Sequence, residues 1–211
     1  MKHCGKCFSF SELAEPVKEG VGGQNPVLTY ALGICSALAV TGFVDTTLTM
    51  CLSLLFVCTS STFIVSLLRD ITPHRVRMIT QMLVISTFVI VVDSFLKAFA
   101  FGTSEKLSIY VELIITNCII MGRCEAYAMK NSPLLSALDG FGAALGYSLV
   151  LLAVSLVREP LAYGELAGFD IWPKDLTIDL FGQAAGAFIT MGLVAWIVRA
   201  IWPQTEESSH G

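Results

Sequence analysis

Six long apolar runs, parted by short polar breaks, constrain this chain more than anything else in it. A helix needs roughly 20 apolar residues to cross a hydrocarbon core about 30 Å thick. Six segments approach that length: Val27–Val44, Thr47–Leu68, Met78–Phe101, Leu107–Gly122, Leu134–Val157 and Phe181–Trp202. The breaks are polar, as in Arg69-Asp70 through Pro73-His74-Arg75 and in Lys130-Asn131-Ser132-Pro133. The longest, Arg158 to Leu180, carries two prolines and several acids and is expected at the surface. Composition agrees, because only 14% of the residues are charged and 55% are hydrophobic. About a quarter of an ordinary soluble domain is charged, so this chain lacks the polar surface to cover a water-soluble core. The expected fold is an all-α integral membrane protein. Residues 1–24 and 204–211 read as polar tails and 25–203 as one six-helix membrane domain. The N-terminal tail lacks the basic-then-apolar order of a signal peptide. A net charge of −4 leaves no nucleic-acid footprint, and seven scattered cysteines do not form a disulfide framework.

Orientation follows from counting Lys and Arg on alternate sides. Lys2, Lys6, Lys18, Arg69, Arg75, Arg77, Arg123, Lys130 and Arg199 lie on the side of the termini, against Lys97, Lys106, Arg158 and Lys174. Nine against four places both termini in the cytoplasm. The span lengths run 18, 22, 24 and then 16, 24, 22. That is short, long, long, twice over. Because three spans is an odd number, the second unit enters from the opposite face, which makes an inverted repeat (about 27–101 and 107–202) with a short, broken first helix in each half. Short or interrupted spans in matching places of two such halves point to the functional site.

Each short span holds a cysteine among residues that loosen a helix. The first reads Gly33-Ile34-Cys35-Ser36 and continues to Thr41-Gly42; the second reads Thr116-Asn117-Cys118 and ends at Gly122. Glycine costs helix stability, and Ser, Thr and Asn offer the backbone other hydrogen bonds. At 1.5 Å per residue the two thiols fall at about 12 and 6 Å from the cytoplasmic edge, close enough to share one depth. A cysteine in an apolar helix is commonly a small hydrophobe, and Cys51, Cys58 and Cys124 fit that description. Two matched thiols also suit metal ligation, and thiolates are the usual ligands of iron–sulfur clusters. A [2Fe–2S] centre takes four, so on that reading a partner supplies the other two. Both readings stay open on spacing alone. The N-terminal His3, Cys4 and Cys7 do not fill a metal site and read as part of a reduced tail.

Intramembrane carboxylates are costly and mark candidate ion paths. Asp139 and Asp93 are the two candidates. Lys97 lies one turn after Asp93 and could neutralise it, while Asp139 could instead serve as a helix-start residue beside Ser136. Gly140 follows Asp139 directly, with Gly142 and Gly146 nearby at helix-packing spacing. Glu112 lies near the start of its span and can reach the interface. Arg158-Glu159 reads as a solvated boundary pair. Trp172, Trp196 and Trp202 read as interfacial or packing aromatics.

The stretches Gly33–Thr41, IITNCIIMGRCEAYAMK (114–130) and LDGFGAALGY (138–147) carry a resemblance over roughly Asn25 to Trp202. They are similar to a family of six-helix subunits shared by the bacterial Na⁺-translocating NADH:quinone oxidoreductases and the Rnf ferredoxin:NAD⁺ oxidoreductases. Arg123, Glu125 and Lys130 favour the D-type over the sibling E-type subunit. Ser36 stands where the Rnf relatives typically carry proline, which favours the sodium pump. The resemblance implies a [2Fe–2S] cluster shared with a homologous E-type partner, with Cys35 and Cys118 as this chain's two ligands. It implies electron relay across the bacterial inner membrane in a multi-subunit translocase, with NADH, flavin and quinone sites on other subunits. Membrane lipid and Na⁺ are the remaining expected partners. The alternatives are the equivalent Rnf subunit and a secondary transporter with inverted repeats and no redox centre.

Overall fold

With so few polar side chains at hand, the backbone must satisfy its own hydrogen bonds, and a helix does so within one segment. The computed structural model describes residues 33–73, 75–99, 112–163, 165–166, 169–170 and 183–201, and these are almost wholly helical. In chain order they form α1 (Ile34–Val40), α2 (Val44–Leu68), α3 (Arg77–Phe99), α4 (Cys118–Arg123), a π-helical turn (Cys124–Ala128), α5 (Pro133–Tyr163) and α6 (Ala184–Ile201). A helical stretch at 112–115 precedes α4. After α5, a short strand β1 (Glu165–Leu166) pairs antiparallel with β2 (Phe169–Asp170). Among the described residues, three segments are long and apolar enough to cross a membrane: Val44–Leu68, Arg77–Ala98 and Pro133–Ala162. Helix α6 adds a shorter apolar stretch, Ala185–Ile197. The expectations for His3, Cys4, Cys7, Trp172, Trp202 and both termini lie outside the described residues.

Three expected boundaries move. The run Val27–Val44 does not continue unbroken to its end: α1 stops at Val40, the chain turns at Thr41–Phe43, and Val44 opens α2. The fourth run, expected to end at Gly122, continues through Arg123 into the π-helical turn that ends at Ala128. The fifth run, expected to stop at Val157, continues as α5 through Pro160 to Tyr163. That extension exists because Arg158 and Glu159 are buried side chains bonded to other parts of the helical core.

Helices α2 and α5 form the central pair and lie antiparallel along their whole length. At one end the Val44 N–H donates to Glu159 Oε2 at 3.3 Å. Further along, Cys51 Sγ lies 3.8 Å from the Ser148 carbonyl, and Gly140 sits directly against Thr62. At the other end Ser66 Oγ donates to the Asn131 carbonyl at 2.7 Å. Helix α3 packs on α2, and α6 packs on α5.

The core mixes apolar side chains such as Met50, Leu54, Val57 and Val65 with small polar ones, while many large apolar side chains face outward. Along α2 the large side chains Leu48, Leu52, Phe56, Phe63 and Leu67 point outward and are exposed, whereas Cys51, Cys58, Ser61, Thr62 and Ser66 are buried. Lipid is as apolar as leucine, so helices associate through close packing of small residues instead of expelling water. Several inward hydroxyls are satisfied locally: Thr47, Ser53 and Thr62 donate to the carbonyls four residues earlier at 2.8, 2.9 and 2.9 Å. Exposed apolar stripes such as Ile79, Leu83 and Ile90 on α3 or Phe188, Ile189 and Leu193 on α6 would drive association in water. Against acyl chains they form the natural solvent face.

Candidate functional site

Both short helices begin at a backbone break that their sequence dictates. Gly33 precedes α1 with φ of 84°, in the left-handed region where a side chain is strained. Its missing Cβ also makes room for neighbours, since a methyl there would come within 2.9 Å of Ile119 Cδ1 and of Tyr147 Cε2. In the second half, the stretch at 112–115 ends at Thr116, and Asn117 starts α4 anew. The Asn117 side chain caps α4 by accepting from the Ile119 N–H at 3.1 Å, which uses the carbonyl end of the amide. Its NH₂ end is left to reach across to the other half.

That reach joins the two breaks. Asn117 Nδ2 donates to Ser36 Oγ at 3.2 Å. Ser36 Oγ also shares a 2.5 Å hydrogen bond with Tyr147 Oη and lies 3.1 Å from the Gly33 carbonyl. Tyr147 Oη in turn donates to the Gly33 carbonyl at 2.9 Å. Tyr147 is fully buried near mid-length of α5. From this junction α1 runs along α5 toward Arg158, and α4 runs the other way toward Asp139. The starts of two short helices, far apart in sequence, therefore meet deep in the fold.

Cys35 precedes Ser36 and Cys118 follows Asn117, so the two cysteines singled out by the sequence flank one hydrogen-bonded pair. Cys35 is exposed and Cys118 partly so, whereas Cys51, Cys58 and Cys124 are buried. The chemistry of the donor set divides the same way. Two accessible thiols lie beside a hydrogen-bonded polar hub. The three buried ones are packed among apolar neighbours. Among the described residues, no group of three or more His, Cys, Asp or Glu side chains could hold a metal within this chain alone.

The carboxylates sort by partner. Asp139 is 1% exposed and ion-paired with Arg123. It is the seventh residue of α5, past the first turn, so it is not a helix-start group. The pair joins the end of α4 to α5, with the Arg123 guanidinium 5.9 Å from the Tyr127 ring centroid. One residue into the π-helical turn, Glu125 pairs with Arg77 and accepts from Gln81 Nε2 at 3.0 Å, which ties α3 to the same region. Single π turns often mark functional sites. Asp93 pairs with Lys97 at 2.6 Å on one face of α3. Glu112 is exposed. Neither lies at the junction. Arg123, Tyr147 and the Arg77–Gln81–Glu125 group were not legible as site residues. Tyr147 closes the LDGFGAALGY stretch, but nothing local says where its hydroxyl goes.

The expectation that Arg158-Glu159 is a solvated pair is wrong. Arg158 is 4% and Glu159 5% exposed. Arg158 Nη1 donates at 3.1 Å to both the Leu38 carbonyl and Thr41 Oγ1, and Nη2 donates to the Gln183 carbonyl at 3.2 Å. Glu159 accepts from the first N–H of α2. The turn between α1 and α2 leaves helix-end groups unpaired, and this charged dipeptide satisfies them.

Comparison of the sequence with known proteins identifies its family. The family described as "Rnf-Nqr subunit, membrane protein" covers residues 13–195. The D subunit of the Na(+)-translocating NADH-quinone reductase from Chlamydia trachomatis serovar L2 is 48% identical over 189 residues, 84% of this chain and 89% of its own length. The same D subunit from Psychromonas ingrahamii is 43% identical over 205 residues, covering 93% and 97%. That from Photobacterium profundum is 46% identical over 195 residues, covering 89% and 92%. A family match over residues 13–195 and relatives 43–48% identical over most of their length lead to one conclusion: this chain belongs to the Rnf-Nqr family of membrane subunits.

Proposed function

We propose that this chain is the D-type membrane subunit of a Na⁺-translocating NADH:quinone reductase, and that Cys35 and Cys118 supply two of the four thiolates of an intramembrane [2Fe–2S] centre. A homologous E-type subunit supplies the other two, and NADH, flavins and quinone bind elsewhere in the complex. The observation that carries the reading is the 3.2 Å hydrogen bond between Ser36 and Asn117, which ties together the residues beside the two cysteines. Such a centre stores and passes on one electron at a time inside the membrane. The chain's own part is to fix its two thiols through the Gly33–Ser36–Asn117–Tyr147 hub and to exclude water with buried Ala37, Ile119 and Ile120.

On this reading the chain spans the bacterial inner membrane six times as two inverted three-helix repeats, with both termini cytoplasmic. Support comes from α2 and α5, the second spans of the two halves, which pack antiparallel, and from α1 and α4, which begin at one point and run apart. Ser36 favours the sodium pump over the Rnf subunit, since its hydroxyl is the centre of the hub and a proline there would have none. Asp139, held by Arg123, is the ion-path candidate next to the site, and Asp93 is the more distant one.

The test is iron and acid-labile sulfide in the assembled complex. Cys35→Ala and Cys118→Ala should each remove about one cluster's worth of iron, whereas Cys51→Ala, Cys58→Ala and Cys124→Ala should remove none. Full iron and full quinone-reductase activity in both of the first two variants would overturn the assignment. A wild-type complex without sulfide-linked iron would favour the non-redox transporter instead.

A further inference from the structure

A helix of seven residues is marginal by itself, because nucleation uses up most of what its few hydrogen bonds return. Helix α1 is that short and carries Cys35. Its start is held by the hub on Tyr147. Its far end is held by side chains that take up the carbonyls a helix terminus leaves open. The Thr41 N–H and hydroxyl both donate to the Ala37 carbonyl, at 3.3 and 2.7 Å. Thr47 Oγ1 donates to the Val40 carbonyl at 3.2 Å, and Arg158 takes the Leu38 carbonyl and Thr41 Oγ1.

Arg158 differs from the other two in what it joins. The planar guanidinium offers five donors in a fixed fork, and here it spans two elements, α1 on one side and Gln183, just before α6, on the other. A buried cation near a membrane-crossing helix end is costly, so packing alone is a poor reason to place one there. Its charge faces the carbonyl end of α1, where a cation is favoured. Neighbouring Glu159 faces the N–H end of α2, where an anion is favoured. A corresponding contact exists in the other half. Arg69, at the end of α2, donates through Nη1 to the Asn131 carbonyl at 2.7 Å, in the turn that follows the Cys118 helix and its π turn. Each central helix thus carries, at or near its C-terminal end, an arginine that bonds the chain at or after the cysteine helix of the other half.

We propose that Arg158 is a positioning residue for Cys35, fixing the cysteine-bearing helix to the start of α6 by a guanidinium clamp on Leu38, Thr41 and Gln183. This rests on the reading of Cys35 as a ligand for its functional consequence, but the clamp itself is testable without iron. In the assembled complex, Arg158→Gln should speed backbone hydrogen exchange of residues 34–43 by on the order of tenfold, and leave the middles of α2 and α5 unchanged. Iron should be retained, and the electron paramagnetic resonance signal of the reduced complex should shift in shape. Arg158→Lys, which keeps the charge but cannot fork, should fall between Gln and wild type. Exchange and signal both like wild type would overturn the proposal. So would exchange rising equally along α2 and α5, which would make Arg158 a general prop of the fold. If Arg158→Gln fails to assemble, Arg158→Lys carries the test: it should loosen residues 34–43 to a smaller extent, and wild-type exchange there would overturn the proposal. Cys35→Ala with full iron would instead defeat the ligand reading while the exchange result stands.

Discussion

Replacing Gly33 by alanine would bring a new methyl group against two side chains at once while leaving the backbone in a strained region. The φ of 84° costs an L residue about 1–2 kcal/mol. The methyl would lie 2.9 Å from Ile119 Cδ1 and 2.9 Å from Tyr147 Cε2. The end of Ile119 can rotate away. The Tyr147 ring cannot, since its hydroxyl is bonded to Ser36 and to the Gly33 carbonyl itself. Overpacking of this kind costs about 1–3 kcal/mol, which brings the total to about 3 kcal/mol, roughly a hundredfold in population. The control is nine residues away. Gly42 has open space around its would-be Cβ and no positive φ, so Gly42→Ala should change stability by no more than about 0.5 kcal/mol. Thermal unfolding of the solubilised complex is the assay. Gly33→Ala should lower the midpoint by on the order of 5–10 °C and reduce bound iron, because the strain falls on the hub between the cysteines. Equal midpoints for Gly33→Ala and Gly42→Ala would refute the claim that this junction is tightly held.

Gly140→Ala should weaken the α2–α5 pair by about 1–3 kcal/mol, since the new methyl would meet Thr62 Oγ1 at 2.5 Å and the Cys58 carbonyl at 3.3 Å. Adding Thr62→Ala should recover part of that loss, and strictly additive melting shifts would argue against the contact. Asp139→Asn should keep the iron but weaken the sodium dependence of turnover. It should also destabilise the complex by about 2–4 kcal/mol, because Arg123 is left without its buried carboxylate. Arg123→Gln combined with Asp139→Asn should regain stability without regaining sodium dependence, and loss of iron in Asp139→Asn would make its role structural. A periplasm-only reporter fused after Trp202 should stay silent, and an active fusion would mean an inverted chain or an odd number of spans.

Features that live within one turn or one span of chain were legible in the sequence. Apolar runs announce helices because lipid forbids unpaired backbone, and three of the six appear as full-length apolar helices. The Asp93–Lys97 pair was readable because residues four apart share a helix face. The loosened backbone around Cys35 and Cys118 was readable from its Gly, Ser, Thr and Asn, and both breaks are present at Gly33 and Asn117. Only tertiary structure decided that Ser36 and Tyr147, 111 positions apart, share a hydrogen bond. The same holds for Arg158, which looks like a span-end charge until α5 lies beside α1 and its guanidinium meets Thr41, 117 positions away. A sequence window records how polar a residue is. Whether that polarity meets water, lipid or an unpaired carbonyl depends on which helix packs alongside, and here the antiparallel α2–α5 pair makes that choice.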